Sequence, residues 1–118
     1  MNIEEHLNSE EFKTRNMLVQ ETGLTDRAVR RQISDLKKTK PVIYNSQTRG
    51  YRLAKDINSF NTVKEAKEEM EQIQHCINDI EARKRDMNMS ERTYIAYQKV
   101  LEPRIMVLEN MNHIPRLD

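Results

Sequence analysis

The stretch GLTDRAVRRQISDL, residues 23–36, carries the pattern that decides the fold. Gly23 supplies the left-handed backbone that stops a preceding helix. Thr25 suits the N-cap of the next one, and Asp26 suits its positive end. Val29, Ile33 and Leu36 recur at i, i+4 and i+7, which defines a single buried stripe. With Val29 turned inward, Arg27, Arg31, Ser34 and Lys38 fall on the opposite side and Arg30 on the flank. A solvated face needs no such excess of positive charge, whereas a face that lies against a polyanion does. The helix should end at KKTKP, because Pro41 disfavours helical geometry at Lys40.

Outward from this helix the elements come in quick succession. Residues 3–7, IEEHL, read as the end of a short first helix. TRNMLVQET, with Met17 and Leu18, reads as a second one, stopped at Gly23. After Pro41 the period changes. VIYN and YRLAK are β-branched and aromatic runs separated by SQTRG, which is the pattern of a hairpin with a longish loop. Gly50 is expected to hold a turn conformation that a side chain would resist. LVQETGLTDRAVRRQISDLKK followed by PVIYNSQTRGYRLA resembles the winged helix-turn-helix family, in particular the group at the N-termini of bacterial biotin-operon-type repressors. The Gly-Leu-Thr turn and the RGYRL return strand carry the resemblance most strongly, and it covers about the first half of the chain. It implies that residues 26–38 form the groove-reading helix. It also implies that a wing tip of Gln47, Thr48 and Arg49 touches the DNA backbone or minor groove.

Net charge hides this organisation. The 118 residues sum to +1, with 33% charged and 36% hydrophobic. From Leu24 to Lys55, however, there are nine Lys and Arg against two acids, a local net of +7, while residues 58–118 sum to −2. Such asymmetry points to nucleic-acid contact. The lone Cys76 excludes an internal disulfide, and His6, His75 and His113 show no ligand spacing, so no metal or other cofactor is expected. The acidic N-terminus is unlike a secretory signal, and no apolar run approaches the length of a membrane span, so a cytoplasmic protein without membrane contact is expected. No nucleophile elbow, phosphate loop or carboxylate pair marks an enzyme.

The second half differs in kind. Val63, Ala66, Met70, Ile73, Ile77 and Ile80 are spaced alternately by three and four, the pattern of a coiled-coil seam, and Met87 would extend it past Lys84. DMNMS interrupts the pattern, with Ser90 as a possible cap for a second helix carrying Tyr94, Tyr97, Leu101, Ile105 and Leu108. Pro103 should kink that helix or start a new segment. The tyrosines are expected to pack, Cys76 and His75 to be partly exposed filler, and the carboxylates at 65, 68, 69 and 71 to form a solvated flank. The fold expected is therefore mainly α with a small β-hairpin. It comprises a winged helix-turn-helix head over 1–57 and an antiparallel coiled-coil helical hairpin over 58–118.

Two functions compete at this point. One is a sequence-specific regulator of double-stranded DNA, a small repressor of bacterial or phage type. It would form a homodimer through the six seam residues and act by occupancy, since no room is left for an effector domain. Arg can pair bidentately with guanine, Ser and Lys suit phosphate oxygens, and the capped helix start at Thr25 and Asp26 welcomes a phosphate. Its DNA-contacting residues would be Thr25, Asp26, Arg27, Arg30, Arg31, Ser34, Lys38, Gln47, Thr48 and Arg49. The other is an adaptor or inhibitor whose arm, ending in NHIPRLD, recruits or blocks a protein partner such as a replication factor.

Overall fold

A computed structural model describes residues 2–83 and 87–112, with the backbone alone for 87–90 and 112. Thr14 caps α1 (Arg15–Thr22), its hydroxyl accepting from the Met17 amide at 3.2 Å, and Gly23 closes that helix with φ 75°. Thr25 caps α2 (Asp26–Leu36) in the same manner, accepting from the Ala28 amide at 3.1 Å. Val29, Ile33 and Leu36 are buried with Ile3, Leu7, Leu18 and Val42, so the stripe is the inner face of α2. Burying a side chain of this kind stabilises by roughly 1.5–3 kcal/mol. Ile3–His6 forms one 3-10 turn instead of the end of an α-helix. Four residues cannot sustain a helix alone; here the Ile3 amide donates to the Gln32 side chain of α2 at 2.8 Å.

β2 (Val42–Asn45) and β3 (Gly50–Leu53) make the expected hairpin, with Val42 opposite Leu53 and Tyr44 opposite Tyr51. A third strand, β1 (Lys13–Thr14), pairs antiparallel with β3, giving the order β1–β3–β2. Two residues are too few for an alternating pattern, so this strand leaves no trace in the sequence. The expectation for Gly50 needs correction. The left-handed residue at the turn is Arg49, with φ 58°. Gly50 is required by a close approach: a Cβ there would stand 2.7 Å from the Phe12 Cβ.

α3 (Val63–Arg83) and α4 (Met87–Asn112) pack antiparallel. Ala66 shares a core with Leu101 and Leu108, while Ile73 and Ile77 share one with Tyr94. α4 begins at Met87, so Ser90 lies inside the helix and does not cap it. The helix also continues through Pro103 without a break. Pro103 and Lys99 are exposed, and the Lys99 carbonyl that loses its donor faces water, which can satisfy it. Lys84 and the tail from His113 onward lie outside the described residues.

Adjacent residues of β2 point to opposite faces of the sheet. Val42 joins the core of α1 and α2, whereas Ile43 joins Ile73, Ile77 and Tyr94. The residues assigned to a self-association seam pack on this second face. Ala66, Ile73 and Ile77 are at most 3% exposed within one chain, and Val63, Met70 and Ile80 are half-buried against the same cores. The seam has its partners within the chain, in α4 and the sheet. Glu69 is likewise no part of a solvated flank: it is 2% exposed and bridges to Arg52 at 2.5 and 2.9 Å. Tyr94 and Tyr97 pack as expected, their hydroxyls donating to the Val42 and Lys55 carbonyls at 2.6 and 2.5 Å.

Candidate nucleic-acid interface

The exposed side of α2 and the tip of the β2–β3 hairpin hold the residues singled out from the sequence. Thr25 is committed to its capping bond. Asp26 sits in the first turn of α2, its carboxylate 3.2 Å from Arg30 Nε and 3.7 Å from Arg15 Nε. It therefore holds Arg30 along the helix and ties the start of α1 to the start of α2. Arg27, Arg31 and Ser34 are exposed, and among the described residues neither arginine has an ion-pair partner. Lys38 is exposed just beyond the helix end, 3.8 Å from Asp35. A solvated pair at that distance contributes little, so the lysine remains available to an anion.

At the hairpin tip, Asn45 accepts from the Gln47 and Thr48 amides at 2.9 and 3.2 Å. This Asx turn shapes the loop so that Gln47, Thr48 and Arg49 are all exposed. Arg52 contributes nothing to the outer surface. It belongs to the basic run by sequence, yet its guanidinium points at Glu69, on the opposite face of the sheet from Tyr51.

Several side chains beside this face were not among the sequence candidates. The Tyr44 and Tyr51 rings lie 4.9 Å apart, tilted by 46°, and Lys37 Nζ is 5.9 Å from the centre of the Tyr51 ring. Burial pushes the Tyr51 hydroxyl above its usual range against the pull of Arg15, Arg30 and Arg83, and burial lowers the Lys37 ammonium. Lys37, at the end of α2, and Arg83, on α3, therefore flank one aromatic pair. Beyond Tyr44 a cleft of about 560 Å³ opens between the hairpin and α3, lined by Gln47, Gln72, His75, Asp79 and Arg83 among others. Arg83 pairs with Asp79 at 3.1 Å. Cys76 also lines this cleft, its thiol pushed up by burial and so kept unreactive. Lys37 could have been found, since it follows Arg30 by seven residues and shares its side of the helix. Arg83 could not, because only the tertiary fold brings it there.

Among the described residues no cluster of His, Cys, Asp and Glu could hold a metal ion, and no helix is long and apolar enough to cross a membrane. No family model, curated protein or solved structure matches the chain.

Proposed function

We propose that the protein binds double-stranded DNA as a small winged helix-turn-helix regulator. In this reading α2 enters the major groove and the β2–β3 hairpin is the wing along the backbone. The observation that carries the reading is the pair Arg27 and Arg31. Both are exposed and, among the described residues, without an ion-pair partner, opposite the buried stripe of a capped helix, with Ser34 and Lys38 on the same side and Arg49 exposed at the hairpin tip. Asp26 braces Arg30, which then serves the backbone better than a base edge. Repression by occupancy is the regulatory mode this implies. Two copies on a palindromic site would have to meet through surfaces other than the buried seam.

Selection of bound sequences from a random duplex pool, followed by titration on the selected site, tests the reading. Replacing Arg27 or Arg31 by Ala should weaken specific binding by about 1–3 kcal/mol and relax preference at one position. If no sequence is enriched, or if both variants keep wild-type affinity and preference, α2 is not a reading helix. A protein-recruiting role is favoured by a separate observation, an uncovered apolar face on α4.

A further inference from the structure

Among the described residues, four of the six large hydrophobic side chains left exposed lie on α4: Val100, Met106, Val107 and Met111, at 46–60%. Ala96, Val100, Pro103, Val107 and Met111 follow one another at intervals of four, three, four and four, which keeps them on one line of the helix. At 100° per residue this line lies about 120° round from the buried row of Tyr94, Leu101 and Leu108, so neither α3 nor the sheet covers it. Its N-terminal end runs into a groove of about 550 Å³ floored by Pro41, Ile57, Ala96, Tyr97 and Val100. A continuous exposed apolar strip of this length on an otherwise polar chain marks a contact surface.

The charged residues that line the groove are of one sign. Lys38 and Arg92 are the charged residues lining the groove, and Lys99 lies on the same flank of the stripe as Arg92. Arg104 borders the opposite flank, reaching the Phe60 carbonyl at 3.2 Å, and its buried Nε has no hydrogen-bond partner among the described residues. On α4 itself, Glu102 and Glu109 lie toward the far side of the helix, with Glu109 held by Lys67 at 3.0 Å. Pairing two copies along this stripe would set a basic rim against a basic rim. A partner with acidic flanks meets the rim with opposite charge.

We propose that the α4 stripe and the groove at its head form a docking face for an amphipathic helix of another protein, with an apolar row flanked by Asp and Glu. The stripe from Ala96 to Met111 spans about 22 Å at 1.5 Å per residue, room for a partner helix of four turns. This surface adjoins the α2 face at Lys38, which borders both, but the proposal does not rest on DNA binding.

The test uses the full chain and two helix-forming peptides of about 18 residues, a length that covers the stripe. They share a leucine row at i, i+4, i+7 and i+11; one carries Glu on both flanks and the other Lys. Fluorescence anisotropy should show saturable binding of the Glu peptide, at least about tenfold tighter than the Lys peptide. Val107→Asp, at a solvent-exposed position that leaves the fold intact by circular dichroism, should abolish it. The double charge swap Arg92→Glu and Lys99→Glu should invert the preference between the peptides. Equal binding of both peptides, or binding of neither, overturns the proposal. So does self-association in sedimentation that Val107→Asp abolishes, which gives the stripe to a second copy. So does co-sedimentation with phosphatidylglycerol vesicles abolished by the same variant, which gives it to an anionic membrane.

Discussion

Arg52 and Glu69 meet as a buried ion pair between β3 and α3, with 7% and 2% exposure. Glu69 also accepts from the Lys55 amide at 2.8 Å, and Arg52 donates to the Leu53 carbonyl at 3.1 Å. Among the described residues, the carboxylate is therefore bonded by β3 and the segment just after it, and the pair ties α3 to the sheet. Glu69→Ala leaves the guanidinium buried without a counter-charge, and such losses cost about 3–5 kcal/mol. Joint replacement by Met and Leu should cost far less, because both desolvation penalties disappear together. Urea denaturation of the three proteins checks this; equal losses in the single and the double variant would mean that volume, not charge, matters at the site. The sequence reading puts Glu69 on a solvated flank, yet its spacing argues against that. Glu69 stands three residues after Ala66 and four before Ile73, so it shares their buried face and calls for a partner. That the partner is Arg52, counted among the surface cations by sequence, depends on which way β3 turns its side chains.

At the level of elements, legibility followed local chemistry. α1, α2 and the hairpin are marked by caps, a glycine stop and changes of period, all within a few residues of where they act. β1 has no such mark, and the Phe12 contact that requires Gly50 is made by a distant segment. The hairpin tip carries a prediction for the DNA reading. Arg49→Ala should weaken binding to all sequences alike and flatten the dependence of log affinity on log salt by about one unit. An unchanged slope would remove the hairpin from the DNA surface. α4 carries a second prediction, through the tyrosines that anchor it. Burial raises the Tyr94 and Tyr97 hydroxyls well above their ordinary value. In the unfolded chain they lose their protons near pH 10, while in the folded protein they keep them. The stability they contribute is whole below that pH and falls as the solution becomes more alkaline. Tyr94→Phe should lower stability at neutral pH through loss of the bond to Val42, and should reduce the decline above about pH 10. A decline of unchanged steepness would show that Tyr94 ionises as readily folded as unfolded.

Across the whole molecule, the sheet is shared. Its Val42 side closes the core of α1 and α2, and its Ile43 side closes the core of α3 and α4. The bonds from Tyr94 to Val42, from Tyr97 to Lys55 and from Thr93 to Lys38 at 3.0 Å add to the same junction. A reading of the helices alone suggests a head that survives loss of the arm, because the head has a stripe of its own. The packing says otherwise. Ile73 is fully buried against Ile43, so Asp at position 73 buries a charge against the sheet and not within a detachable arm. An uncompensated buried charge costs about 3–5 kcal/mol, a large part of the 5–15 kcal/mol that holds a domain together. Ile73→Asp should therefore lower the melting temperature of the whole chain. Helix content by far-ultraviolet circular dichroism and tyrosine packing by near-ultraviolet signal should be lost in one coincident transition. In the proposed DNA reading, binding should fall with the folded fraction, and recover when Ile73→Leu replaces the charge with an apolar side chain of the same size. Two separated transitions, with DNA binding surviving the first, would mean that α1, α2 and the sheet stand alone and that the second core merely rests upon them.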